Sequence, residues 1–250
     1  MLERVLVAVA HGSADPRAAA TIDELMTVAA TRTAARGLSL RTAYLSHAAP
    51  SLPQVMSALP ADARVTVLPL LLTAAYHSET DIPRVLARMR GDFPRLEVTY
   101  GATLGPHPLL LRALERRLTE AAPDALEDPG HTGVVLAAAG SSDPAANVTI
   151  GRLAARWQAR TGWFAVRPAY ASAADPAPAA AVAGLLHAGA RRVLVATYLL
   201  APGFFADRIR DAALTAGAAA VAPALGAAAE VADVMLDRYQ EAGTRQRAAA

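Results

Sequence analysis

The sequence predicts an α/β chain of two tandem parallel four-stranded sheets, each with helices on both faces. Three observations predict it. Short apolar runs of strand length alternate with longer helical stretches, the pattern of a parallel sheet covered on both sides. The second half repeats the first, residue by residue, at a nearly constant offset. And 250 residues, 54% of them apolar, suffice for two domains of about 120 residues, each with its own core.

The first half is organised around residues 5–16, VLVAVAHGSADP. The apolar run stops at His11. Gly12, Ser13 and Ala14 then make a tight turn, and Asp15-Pro16 starts a helix. Asp offers an acceptor to free helix N–H groups, and Pro fits the first helical position. Strands are expected near 4–10, 39–45, 64–73 and 96–101, and helices near 15–36, 51–58, 79–91 and 107–121. The polar, Pro- and Gly-bearing stretch 122–131 reads as a linker. Strands then recur near 133–138, 164–170, 192–200 and 219–222, with helices between and after them. The tail 243–250 is expected to be frayed or disordered. The domains are thus 1–122 and 132–242.

The repeat can be checked by residue. Gly12 matches Gly140 and Asp15 matches Asp143, each 128 apart. Tyr44 matches Tyr170 and Pro50 matches Pro176, each 126 apart. Val65, Val67, Leu71 and Leu72 match Val193, Val195, Leu199 and Leu200, again 128 apart. Leu104-Gly105 matches Leu225-Gly226, 121 apart. Two tandem copies of one unit account for this economically. Function is therefore to be read from what the first copy has and the second lacks.

Composition narrows the classes. There is no Cys, hence no thiolate metal site or thiol nucleophile. No apolar run reaches the roughly 20 residues of a membrane span. The first residues, MLERVLVAVAHG, lack the features of a signal peptide. A cytoplasmic protein is expected. All 24 cationic side chains are Arg. Whatever genomic bias lies behind this, no Lys is present for a Schiff base or a phosphate loop, while bidentate carboxylate binding is well supplied. A net charge of +2, with no basic run interleaved with aromatics, sets nucleic acid aside.

The chemistry lies with the histidines. His11 ends the first strand, and His77 follows the third, before a helix start. In a flavodoxin-like order, 2-1-3-4, strands one and three are neighbours at the switch point, where ligands bind. Their carboxyl ends then bring His11 and His77 onto one small ion. Both are lost in the second copy, where Ala139 and Phe205 take their places. His107, opposite Ala228, either caps the fourth helix or borders the same cleft. His47, opposite Ala173, is a further cleft candidate, whereas His131 and His187 read as solvated bystanders. Glu79 and Asp81 either orient the His77 ring or cap the following helix.

His-Gly-Ser at 11–13, Pro-Ser-Leu at 50–52, the set Pro-Leu-Leu-Leu…His…Asp-Ile-Pro over 69–83, and Leu-Gly-Pro-His-Pro at 104–108 form a distinctive combination. It resembles the sirohydrochlorin chelatase family, the small ATP-independent class II chelatases. The strong motifs cover the first half, and the second resembles the degenerate copy of two-domain members. The resemblance implies two chelatase-like domains around a cleft that holds a tetrapyrrole, sirohydrochlorin. It also implies insertion of Fe²⁺ or Co²⁺, for sirohaem or cobalamin synthesis, by His11 and His77, with no nucleotide, no membrane partner and a monomeric or homodimeric state. Fe²⁺ is preferred, with Co²⁺ close behind and Ni²⁺ admissible. One departure stands out. Family members often carry an acidic residue before the Pro-Ser-Leu turn, and here the stretch is Ser46-His47-Ala48-Ala49.

The residue types suit that chemistry. An ion held by few exchangeable ligands keeps open positions for the ring, and neutral imidazoles suit Fe²⁺, Co²⁺ or Ni²⁺. Imidazole can also accept the two pyrrole protons that the metal displaces. Which histidine is ligand and which is base stays open. Ser13, Arg17, His107 and Phe205 are the candidates for the tetrapyrrole, with Arg84, Arg208 and Arg210 as further partners for its carboxylates. Phe204 and Phe205 either pack in the core or face the macrocycle. Two rivals remain: a non-catalytic metal or tetrapyrrole carrier, and a His-dependent phosphohydrolase. The second expects an Arg beside the His, where Gly12-Ser13 stand.

Overall fold

A computed structural model describes residues 2–33, 37–74 and 80–249. The elements follow the expected alternation. In the first half they are β1 (Arg4–Ala10), α1 (Pro16–Thr33), β2 (Leu38–Tyr44), α2 (Leu52–Ser57), β3 (Arg64–Pro69), α3 (Ile82–Asp92), β4 (Glu97–Tyr100) and α4 (Pro108–Ala121). Two short 3₁₀ turns, Pro123–Glu127 and Pro129–His131, form the linker. The second half gives β5 (Thr132–Ala138), α5 (Pro144–Arg160), β6 (Ala165–Tyr170), α6 (Pro178–His187), β7 (Arg192–Tyr198), α7 (Phe204–Thr215), β8 (Ala220–Val221) and α8 (Ala229–Ala249).

The strands form two parallel sheets, ordered β2-β1-β3-β4 and β6-β5-β7-β8. The central strand of each is buried on both faces: Val5 to Ala10 in β1 and all seven residues of β5 are buried. That explains their continuous apolar runs, since a parallel sheet covered by helices leaves no polar face. The first core joins Val5, Val7 and Val9 to Leu52, Met56, Val65, Val67, Ile82 and Leu86. The second joins Val135 and Ala137 to Val182, Leu185, Val193, Val195 and Ile209.

The packed units exchange their last helices. One comprises residues 1–109 and 227–250, the other 110–226. The repeats 1–122 and 132–242 describe internal likeness in sequence, and the packing groups α8 with the first sheet and α4 with the second. The apolar stripe of α4, Leu110, Leu111, Leu114 and Leu118, is buried, and Glu115 accepts a 2.8 Å bond from the buried Trp157 indole. In α8, Val231, Ala232, Val234 and Met235 are fully buried. Asp233 pairs with Arg32 at 2.6 Å.

The expected frayed tail is a correction, since α8 runs on to Ala249. Arg, Gln and Ala are good helix formers. Gln246 also bonds the Thr99 hydroxyl of β4, tying the last turns to the first sheet. Smaller differences lie at element ends. The third strand stops at Pro69 instead of continuing to 73, and α1 is described to Thr33.

Candidate functional site

At the carboxyl end of β1 the chain turns sharply, and hydrogen bonds fix the turn. The His11 carbonyl accepts from the Ser46 backbone N–H at 3.0 Å and from its hydroxyl at 3.2 Å. Gly12 has φ +88°, and a Cβ there would lie 1.7 Å from the Ser46 carbonyl oxygen. Glycine is therefore obligatory, both for the left-handed backbone and for the close approach. Ser13 Oγ accepts from the Asp15 N–H at 3.1 Å. Asp15 caps α1 by accepting from the Arg17 N–H at 2.9 Å. The His11 imidazole is exposed beyond this turn, with Nδ1 3.0 Å from the Gly12 carbonyl.

The second unit builds the same turn. The Ala139 carbonyl accepts from the Ser172 N–H and hydroxyl, both at 3.0 Å. Gly140 has φ +84°, and a Cβ there would lie 1.9 Å from the Ser172 carbonyl oxygen. Asp143 caps α5 through the Ala145 N–H at 2.9 Å. His47 and Ala173, also paired, both adopt positive φ, at 58° and 57°. With scaffold and capping bond the same, the first copy adds the imidazole of His11 at this turn. A further difference lies beside it. Asn147 brackets Ser141, accepting from its N–H and donating to its carbonyl. The matching position in the first unit is Ala19.

The sheet order makes β1 and β3 neighbours, with Val9 opposite Pro69. Adjacent strands lie about 4.8 Å apart. The chain leaving β3 stays beside that leaving β1, because the Leu70 N–H donates to the Val9 carbonyl at 2.8 Å. His77 and Glu79 lie outside the described residues. What is described is the stem that leads to them, up to Ala74. On the far side, Asp81 stands before α3, and its carboxylate makes no capping bond.

The other candidates are dispersed. Arg17 closes on Asp15 through Nε and Nη2, at 3.1 and 2.6 Å. That side-chain bond, followed by the backbone bond from Arg17, holds the Asp15 carboxyl below the usual range. Arg84 and Arg208 are exposed, and Arg210 lies beside Asp207 and Asp211. Phe204 and Phe205, at the start of α7, are 71% and 38% exposed. This removes the alternative that both pack in the core. Their rings meet edge to face, with centroids 5.6 Å apart.

His107 stands just before α4. Its Nδ1 accepts from the Leu109 N–H at 3.3 Å in the first turn of α4. Its Nε2 lies 3.7 Å from Asp237 of α8, and the side chain is only 16% exposed. Burial, and then the Arg238 charge, push its pKa below the ordinary 6.5, against the pull of Asp237 and Glu241. The unfolded chain therefore binds this proton at a higher pH than the native protein does. The stability this residue contributes is whole above about pH 6.5 and is lost as pH falls through the lowered native value. His107→Asn keeps a side-chain acceptor near the Leu109 N–H and removes the titration. We expect it to flatten the decline of unfolding free energy below pH 6.5, read by denaturant titration from pH 5 to 7.5. An unchanged slope would remove His107 as its source.

Sequence reasoning did not single out Arg238 or Asp237. A signal was available: Arg117 and Glu120 recur as Arg238 and Glu241, 121 positions on, at the offset that relates Leu104-Gly105 to Leu225-Gly226. Among the described residues, no group of three or more His, Asp or Glu is arranged to hold a metal ion.

A family model described as CbiX matches residues 5–121 and again 133–242. A sirohydrochlorin cobaltochelatase of Priestia megaterium is 28% identical over 148 residues, which are 59% of this chain and 48% of that protein. A sirohydrochlorin ferrochelatase of the same organism is 28% identical over 170 residues, 67% of this chain and 63% of that protein. The matches thus span less than two thirds of those relatives, 48% of the one and 63% of the other. In structure, SirB from Bacillus subtilis with Fe³⁺ superposes with a TM-score of 0.79 at 22% identity, covering 99% of this chain and 98% of that one. A multi-domain protein from Deinococcus radiodurans gives 0.77 at 23% identity, over 95% and 55%. These two likenesses concern the fold.

Proposed function

Because the chain belongs to the CbiX family, we propose that it is a sirohydrochlorin chelatase, inserting a divalent metal ion into the free-base tetrapyrrole without nucleotide hydrolysis. The observation that carries this is the His11 turn. One hydrogen-bonded scaffold occurs twice, and only the first copy sets an exposed imidazole on it, beside the stem that leads to His77. Names of relatives among the sirohydrochlorin cobalto- and ferrochelatases support the substrate class.

In this reading the metal is a substrate, Fe²⁺ or Co²⁺, with Ni²⁺ admissible. His11 and His77 hold it with few ligands, leaving coordination positions free for the pyrrole nitrogens. As those nitrogens bind, two N–H protons leave; an imidazole that no longer ligates the ion is basic enough to accept one at neutral pH, and solvent takes the other. Ser13 and Arg17 flank the His11 turn and meet the substrate from there. His107 serves mainly to fix α4. The test is anaerobic steady-state insertion, followed by absorption, with sirohydrochlorin against Fe²⁺, Co²⁺ and Ni²⁺. Turnover supports the reading. Stoichiometric binding without turnover would favour a carrier.

The exposed Phe204-Phe205 pair offers an apolar surface that fits the face of a flat macrocycle. Phe205→Ala is expected to weaken sirohydrochlorin binding about tenfold, in line with the loss of one aromatic contact, and to leave Co²⁺ affinity unchanged. Fluorescence titration of each ligand checks this. Equal losses for both ligands would remove Phe205 from the substrate site.

A further inference from the structure

The turns after β1 and β5 bond alike until the main chain of their serines is compared. Ser13 Oγ accepts from the Asp15 N–H at 3.1 Å, and Ser141 Oγ accepts from the Asp143 N–H at 3.0 Å. In the second unit Asn147, the fourth residue of α5, also reaches back to the turn. It accepts from the Ser141 N–H through Oδ1 at 3.0 Å and donates to the Ser141 carbonyl through Nδ2 at 2.6 Å. The Tyr170 hydroxyl donates to the Asn147 carbonyl at 2.9 Å, which ties the residue from the sheet side as well. At the offset of 128 the counterparts are Ser13 and Ala19. Ala19 ends at Cβ. Among the described residues, neither the N–H nor the carbonyl of Ser13 has a hydrogen-bond partner.

The second unit thus shows what this N–H takes: the acceptor oxygen of a planar carboxyl-type group that approaches from outside the turn. A carboxylate has the same plane and the same oxygen as that carboxamide, and it adds a negative charge. The charge is favoured here. Ser13 stands three residues before α1, an 18-residue helix, and aligned peptide dipoles leave partial positive charge at a helix N-terminus. The nearby Asp15 carboxylate is already engaged, capping the Arg17 N–H at 2.9 Å and paired with the Arg17 guanidinium at 2.6 Å. Ser13 is only partly buried, so a substrate group can reach it. It is two residues from His11, so a ligand held at its N–H is held on the turn that carries the imidazole.

We propose that the main-chain N–H of Ser13 binds a side-chain carboxylate of the tetrapyrrole, in the place that the Asn147 carboxamide fills in the second unit. The proposal rests on the reading of this chain as a binder of sirohydrochlorin, whose rim carries carboxylates. A hydrogen bond to a charged acceptor contributes about tenfold or more to affinity. The two copies then divide one turn between two uses. The first leaves its N–H to the substrate, beside His11. The second closes the same N–H with its own side chain and stands as a self-contained wall.

The experiment moves the carboxamide from one copy to the other. Ala19→Asn, Ala19→Asp, Ala19→Leu and Asn147→Ala are compared with the unaltered full chain. Readouts are the Kd for metal-free sirohydrochlorin by fluorescence titration, Co²⁺ affinity by absorption titration, and the thermal midpoint. Ala19→Asn gives Ser13 the partner that Ser141 has, and should weaken sirohydrochlorin binding about tenfold with Co²⁺ affinity within twofold. Ala19→Asp should weaken it further, because its charge also repels the substrate carboxylate. Ala19→Leu, of similar bulk and without an acceptor, should lose less than Ala19→Asn. Asn147→Ala should lower the thermal midpoint and keep the sirohydrochlorin Kd within twofold. A Kd within twofold of the unaltered protein in both Ala19→Asn and Ala19→Asp overturns the proposal. Equal losses in Ala19→Leu and Ala19→Asn overturn it too, since bulk alone then accounts for them, as does a loss in Asn147→Ala as large as in Ala19→Asn. Binding is read here without turnover, so the two readings fail separately. An unaltered protein that binds sirohydrochlorin, weakens tenfold in Ala19→Asn and inserts no metal removes the chelatase reading and sustains the proposal. An unaltered protein that does not bind sirohydrochlorin removes both.

Discussion

Replacing either His11 or His77 with Ala is expected to lower metal insertion by at least about 100-fold, the low end of what a positioned acid–base or ligand group contributes. The His11 imidazole is exposed. The turn beneath it is held through its backbone carbonyl, by Ser46. Removing the ring therefore leaves the fold's own bonds in place, and the thermal midpoint should move little. The second copy already demonstrates this, since Ala139 occupies the same turn with the same two bonds from Ser172. The measurement is anaerobic insertion into sirohydrochlorin at saturating Fe²⁺ or Co²⁺, with Co²⁺ titration alongside. Near-full activity in both single variants would sink the assignment of the pair.

Gly12→Ala should have the opposite profile, costing both stability and activity. Its native φ of +88° is open to Ala only at a penalty of about 1–2 kcal/mol. The added Cβ would also lie 1.7 Å from the Ser46 carbonyl oxygen, so the 46–47 turn must move. A loss of about 2 kcal/mol or more corresponds to a midpoint lower by about 4–8 °C. Because the displaced residue is the one bonded to His11, insertion should fall by more than the unfolded fraction accounts for. Gly140→Ala meets the same obstruction at 1.9 Å from Ser172. It should lose comparable stability while the folded protein keeps its turnover. Equal losses of turnover in the two variants would contradict the division of labour between the halves.

Much of the architecture was legible in the residues because the determinants are local. The apolar runs of β1 and β5 require burial on both faces, and Asp-Pro after Gly-Ser starts α1 and α5. The repeat offsets alone related Gly12 to Gly140 and His11 to Ala139. The neighbouring of β1 and β3 followed from the expected order of such sheets. Strand ends were less legible, since Leu70 to Thr73 is as apolar as a strand yet leaves the sheet after Pro69.

The sequence by itself determined the two-copy plan, the α/β class and the asymmetry of the histidines, because each is written in residue types and spacing. Only the tertiary structure decided which helix completes which unit. The stripes of α4 and α8 are equivalent at an offset of 121, so apolar pattern cannot say whether each packs on its own sheet or is exchanged. Packing groups α8 with the first sheet, with Arg32 pairing to Asp233 and Gln246 bonding Thr99. It also turned His107 into a helix cap, exposed Phe204 and Phe205, and brought Arg238 within hydrogen-bond reach of residues more than a hundred positions earlier. Contacts so distant in sequence are set by the sum of the packing, and no local pattern encodes them.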